Sequence, residues 1–227
     1  MRAMLFEEYG GPENLTIKDL PVPEPGNGEV RVKIKAFAIN RAKTYMRKGA
    51  WGDVVRVSGI ECVGEVDSDP SGALRPGQKV AAIMGGLGRT RNGSYAEYTC
   101  VPSTNIFSLE TKLPWEELAA IPESYATAWI CLFENLRIAK GQVLVVRGGT
   151  SALGQAASGT DLSFFGSFVL GTADYPLSNI PMQRIVDSAA TGTYKAKPVK
   201  VFRFEQLPDA HRLMEANQAN GKIVVVI

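Results

Sequence analysis

The segment Val143-Leu-Val-Val-Arg-Gly-Gly-Thr-Ser-Ala-Leu-Gly154 constrains this chain more than any other. Val143 to Val146 is a short, wholly apolar run, the pattern of a strand buried on both faces of a parallel sheet. Gly148, Gly149 and Gly154 then allow a sharp turn and a close approach of backbone to a ligand. A helix opening near Ser151 would turn its free N–H groups and positive dipole end toward a pyrophosphate. The spacing is Gly148-x-x-Ser151-x-x-Gly154 rather than G-x-G-x-x-G, and an ordinary strand–turn–helix has the same local pattern.

The stretch of chain after this loop is too short for the fold the loop announces. A crossover helix that runs back along a strand of roughly 18 Å needs about 12 residues at 1.5 Å each. Only Ser151 to Ala157 precede the break at Ser158-Gly159-Thr160. Asp174 lies at the distance of a ribose-binding acid beyond the loop, but so short a helix argues against that role. Between Val143 and Ala190 there is room for about one β-α-β unit. The reading is an internal deletion that joins Ala157 to Ser158.

Composition narrows the class. The chain has 227 residues, 45% hydrophobic and 21% charged, enough for a globular protein with a core. A net charge of +2 with dispersed Lys and Arg gives no argument for nucleic acid. No apolar run reaches the ~20 residues of a membrane span, and no leader segment is expected at the start of the sequence. Cys62, Cys100 and Cys131 are odd in number and widely spaced, which predicts buried thiols in a reducing, cytoplasmic setting.

Residues 1 to about 112 read as β-rich. Val30 to Ala36 alternates with period two, and Gly59 to Val66, Val80 to Ile83 and Ser94 to Val101 are further strands between Pro- and Gly-rich turns. Such a series predicts a barrel-like β fold. Helices are predicted from Pro114, over Ala126 to Leu136, Ile180 to Ala190 and Leu207 to Ala216. Phe164 to Leu170 reads as a buried strand and Lys222 to Ile227 as a closing one.

This order of parts resembles the medium-chain dehydrogenase/reductase superfamily, and within it the zinc-free quinone reductase-like enzymes. The resemblance rests on Met1 to Pro12 and on Ala38-Ile-Asn40-Arg-Ala-Lys43-Thr-Tyr45-Met-Arg47-Lys-Gly49, where the family commonly has Asp in place of Lys43. It continues through Gly59-Ile-Glu61-x-x-Gly64, Arg75-Pro-Gly77, Gly93-Ser-Tyr95-Ala-Glu97 and Tyr125-Ala-Thr127-Ala-Trp129 to the glycine loop. It implies an α+β chain, mainly β: a GroES-like, partly open β-barrel catalytic domain built from 1–115 and 195–227. Residues 116–194 would be a truncated Rossmann remnant with its junction near 157–158.

The resemblance also implies an NADPH (or NADH) oxidoreductase that passes hydride to a small-molecule quinone, enone or other carbonyl compound. The truncated chain itself is expected to bind no cofactor and to lack turnover. Zinc relatives place ligands near positions 40, 60 and 123; Asn40, Ile60 and Glu123 stand there, which predicts no metal. Asn40 and Tyr45 are the candidate catalytic residues and Trp51 the substrate wall. Asn40, Thr127, Gly148, Ser151 and Gly154 are the candidate cofactor contacts. Arg47 and Glu61 read as structural, His211 as too remote for a general base, and Lys195 and Lys197 as solvated charges. Two other readings stay open: a non-catalytic GroES-like binding or scaffold module, and a homodimer that pairs exposed strands at 143–147 and 164–170.

Overall fold

The computed structural model describes residues 1–139, 141–144, 146, 151–157 and 169–227. Its organising element is a long central strand. β1 (Arg2–Phe6) and β2 (Leu15–Asp19) form an antiparallel pair. The larger sheet takes β3 (Glu29–Ile39), β4 (Glu61–Ser68), β5 (Lys79–Ile83), β6 (Tyr98–Pro102), β7 (Ile106–Ser108), β8 (Lys200–Arg203) and β9 (Ile223–Val226). These run in the order β7-β5-β4-β3-β9-β8, with β6 also paired to β3. The sheet curves without closing into a barrel.

β3 can serve three neighbours because it changes partner along its length. Glu29 to Lys33 pair with β6, Arg31 to Ala36 with β4, and Ala36 to Ile39 with β9. The predicted alternation holds over Val30, Val32 and Ile34, which are buried, and gives way to a fully buried run at Ala36 to Ile39. There β9 joins from the C-terminus and both faces are covered. Among the described strands, only β8 and β9 are parallel to each other.

The helices are α1 (Arg41–Arg47), α2 (Trp115–Leu118), α3 (Pro122–Trp129), α4 (Ala152–Ala156), α5 (Met182–Ala190) and α6 (Leu207–Glu215). One apolar cluster packs β1, β3 and β6 with α6 through Phe6, Phe37, Tyr95, Phe204 and Leu207. A second lies on the other side, where Ile60, Ile83, Ile121, Ala126, Ile185 and Val186 pack α2, α3 and α5 against β4 and β5.

Two expectations are corrected. The helix predicted to resume at Ala126 starts at Pro122, whose fixed φ suits the first helical position, and widens into a π-helix over Ile130–Asn135. Among the described residues of the expected strand 143–147, Val143, Leu144 and Val146 lie in no strand, and Val143 is 84% exposed. Apolar character alone does not make a strand; paired backbone groups do, and no described strand lies beside these residues. Of the expected strand Phe164 to Leu170, residues 164–168 lie outside the described residues, and Leu170 is buried in a turn. Asp174 sits exposed in the adjoining loop.

Candidate active site

Asn40, between β3 and α1, begins the site. An Asn before a helix is a strong N-cap, and its backbone is extended as a cap requires, with φ −113° and ψ 139°. Its side chain does not cap the helix. The amide is drawn away by two carboxylates, and Nδ2 donates to Glu61 Oε1 at 2.9 Å and to Glu123 Oε2 at 3.0 Å.

Glu61 opens β4 and is wholly buried. Its second oxygen accepts from the backbone N–H of Glu123 at 2.8 Å. That N–H belongs to the first turn of α3, where no intrahelical partner exists, so a strand residue caps the helix. Glu123 is an acid in that first turn, favourably placed on the helix dipole. Thr127 Oγ1, one turn on, donates to Glu123 Oε1 at 3.3 Å.

Lys222 supplies the countercharge from the residue before β9. Its Nζ donates to Glu61 Oε1 at 2.8 Å, to Ser124 Oγ at 3.0 Å and to Glu123 Oε2 at 3.5 Å. Burial works against the ammonium, but attraction to Glu61 and Glu123 more than offsets it and raises the Lys222 pKa. Full burial raises the Glu61 pKa, reinforced by Glu123 and opposed by Lys222.

These side chains border a cavity of about 410 Å³. Its walls include Asn40, Glu123, Ser124 and Lys222 on one side and Ser151, Ala152 and Leu153 at the start of α4 on another. Ser151 caps that helix, its Oγ accepting from Gly154 N at 3.0 Å. Of the expected cofactor contacts, Asn40 and Ser151 line this cavity, while Thr127 meets Glu123 and Gly154 meets Ser151 beside it. Gly148 lies outside the described residues. Tyr45 and Trp51 are each 44% exposed and are not wall residues of this cavity.

The implied groups can be tested against these residues. Zinc does not fit: Asn40 and Glu123, at two of the ligand positions, are hydrogen-bonded to each other, and Ile60 at the third is apolar. Among the described residues no group of three or more His, Cys, Asp or Glu gathers around a metal position. On the nucleotide side, α4 has five residues and its capping hydroxyl, Ser151 Oγ, already accepts from Gly154 N; residues 147–150 before it lie outside the described residues.

Lys43 and His211 lie off this site. Lys43 is wholly buried on α1 beside Met46 Sδ, and burial, with Arg89 nearby, pulls its pKa down to about 7. His211 on α6 joins Arg47 and Tyr95. Because Nδ1 accepts from Arg47, Nε2 carries the proton toward Tyr95 Oη at 3.0 Å. Burial, then Arg47, holds His211 down to about 3. Lys197 is exposed and meets Glu117 at 3.5 Å.

Sequence reasoning missed the roles of Glu123 and Lys222. The available signal was a charge at the head of each of two strand patterns, Glu61 and Lys222, each followed by apolar residues and opposite in sign.

Fold and site together define a dehydrogenase-type protein with a GroES-like domain. Residues 26–111 match the alcohol dehydrogenase GroES-like domain and residues 129–225 the zinc-binding dehydrogenase family. The chain belongs to the medium-chain dehydrogenase/reductase superfamily. Human quinone oxidoreductase is 32% identical over 185 residues, covering 76% of this chain and 53% of that protein. Human synaptic vesicle membrane protein VAT-1 homolog-like is 27% identical over 178 residues, covering 76% and 41%. The chain thus spans about half the length of the curated relatives it matches. Among solved structures, the quinone oxidoreductase from Coxiella burnetii aligns with a TM-score of 0.81 at 17% identity, over 100% of this chain and 99% of that one. A mycobacterial protein complexed with NADPH also gives 0.81, at 16% identity over 100% of both chains. Among the described residues, no helix is long and apolar enough to cross a membrane.

Proposed function

We propose that this chain is the substrate-side, GroES-like portion of a zinc-independent NAD(P)H oxidoreductase that reduces a quinone, enone or other carbonyl compound. In this reading residues 1–115 and 195–227 form the catalytic domain, and 116–194 are what remains of the nucleotide domain. The chain alone has no useful turnover. The observation that carries the reading is the cavity itself: Asn40 and Lys222 on the GroES-like side face the first turn of α4 across one open space. What is missing is the rest of the dinucleotide platform, since α4 ends after five residues.

Calorimetry with NADPH on this chain should show no tight binding, and a 1,4-benzoquinone assay no enzymatic rate. Insertion of a complete nucleotide domain between Ala157 and Ser158 should restore both. Tight binding or turnover by the present chain overturns its inactivity. A rebuilt chain that binds NADPH yet reduces no quinone or enone overturns the oxidoreductase reading.

That last outcome would favour the second reading, a non-catalytic binding or scaffold module. One observation supports it: Tyr45 and Trp51, the aromatic residues assigned to substrate, are half-exposed and are not in the cavity wall.

A further inference from the structure

A second cavity, of about 370 Å³, opens between α2, the end of α5 and the segment 192–197 that leads toward β8. Its size is that of pockets that hold small ligands. Leu113, Ile121 and Ala189 give it an apolar lining, and Ile121 is wholly buried. Tyr194 forms part of the wall and keeps 38% of its surface exposed, so the ring offers contact area to a ligand. That ring is already held in place. It stacks on Tyr125 at 5.6 Å with the planes 26° apart, and the Tyr194 N–H donates to Ser188 O at 3.0 Å. Three charged residues line the pocket, and their charges do not balance. Lys195 makes no ion pair among the described residues. Lys197 meets Glu117 at 3.5 Å, and with 81% of the Lys197 side chain in water that pair is weak. One carboxylate thus stands against two ammonium groups, which leaves a positive charge unmatched at the mouth of an apolar pocket. None of these residues lines the cavity of Asn40 and Lys222.

We propose that this pocket binds an aromatic monocarboxylate, its ring against Tyr194 and the apolar lining and its carboxylate on Lys195 and Lys197. A flat ring suits a wall that is itself a fixed aromatic, because offset or edge-to-face ring pairs add to the burial of apolar area. The lysine stems can cover the ring while each Nζ stays at the water-facing mouth. A hydrogen bond from ammonium to carboxylate is about twice as strong as one between neutral groups. Lys197 gives up little in turning from Glu117 to the ligand, since their exposed pair is worth little. A neutral ligand of the same shape would leave the positive charge unmatched, and a cation would meet like charges. The inference goes beyond the oxidoreductase reading and does not depend on it.

The test is NMR titration of the whole chain with 2-naphthoate, 2-naphthamide and octanoate. 2-Naphthamide keeps the shape without the charge, and octanoate keeps the charge without the ring. 2-Naphthoate should bind in the millimolar range or below, about tenfold more tightly than either control. It should shift the amide signals of Ile121, Ala189 and Tyr194 and leave those of Asn40 and Ser151 in place. Added salt should narrow its lead over 2-naphthamide, because the lysines are open to solvent. Lys195→Met combined with Lys197→Met should bring acid and amide to equal affinity, and Ala189→Trp should exclude both. Equal binding of acid and amide to the wild type, tighter binding of octanoate, shifts centred on Asn40 and Ser151, or no binding of 2-naphthoate overturns the proposal. So does movement of the pocket signals when the chain alone is concentrated, which would give the pocket to a second copy. These wild-type outcomes decide it even if a variant fails to fold.

Discussion

Lys222 Nζ lies 2.8 Å from Glu61 Oε1, although 161 residues separate the two in sequence and both side chains are almost wholly out of water. The contact ties the residue before β9 to the first residue of β4, and through Asn40 and Glu123 it ties both to α1 and α3. One ion pair therefore couples two distant segments of the chain at the cavity floor.

Removal of one partner should cost far more than removal of both. Lys222→Met leaves two carboxylates facing each other in a dry setting, and a loss of about 3–5 kcal/mol is expected. Glu61→Gln combined with Lys222→Met should recover most of it. Urea unfolding of the two single variants and the double variant gives the coupling energy; additive losses would show that the pair does not act as a unit.

Lys43 carries a penalty that pH can relieve. The unfolded side chain takes up a proton below about 10.5, the folded one only below about 7, because burial first and Arg89 second oppose the charge. Between these values the unfolded state binds more protons, so this group's contribution to stability rises with pH. Lys43→Met, facing Met46 and Arg89, should stabilise the protein at neutral pH by on the order of 2 kcal/mol, with the gain shrinking toward pH 10. Paired denaturation curves of wild type and variant from neutral to alkaline pH cancel the other titrating groups. A gain that does not depend on pH would count against the assignment.

His211 should produce the acid limb. Its folded pKa is about 3 against 6.5 unfolded, from burial and then Arg47. As pH falls through that window the unfolded state gains a proton that the folded state refuses, so stability falls. By about pH 4 the loss should be on the order of 3 kcal/mol. His211→Gln can still accept from Arg47 and donate to Tyr95, and it should flatten the acid limb relative to wild type. Melting temperatures across the acid range would show whether the two profiles diverge.

Gly64 should tolerate no side chain. A Cβ there would fall 2.1 Å from the backbone oxygen of Lys33 on the neighbouring strand. Backbone cannot yield as a flexible side chain does, so Gly64→Ala must open the β3–β4 ladder. A loss of roughly 2–4 kcal/mol is expected, readable as faster hydrogen exchange at the amides shared between β3 and β4. Gly28→Ala has open space around it but a φ of +74°, so its loss should be smaller.

Parts of this architecture were legible in the residues. The alternation of Val30, Val32 and Ile34 located β3 and its buried face, because a period of two puts every second side chain on one side of a strand. Pro114 and the acids after it located α2. The seven residues from Ser151 to Ala157 set a limit on helix length that the five-residue α4 respects. Val143 to Val146 misled, because an apolar run states a wish for burial and not the presence of a neighbour to provide it.

The sequence by itself determined what local physics can determine: strand periodicity, helix starts, the glycine turn and the length of chain available after it. The tertiary fold alone decided the chemistry of the cavity floor. Glu61 and Lys222 each look like a misplaced charge in an apolar strand, and only the pairing of β3 with both β4 and β9 brings them together. Asn40 reads as a helix cap until two carboxylates from distant segments claim its amide. Contacts between residues far apart in sequence depend on how strands are ordered in the sheet, and no local pattern encodes that order.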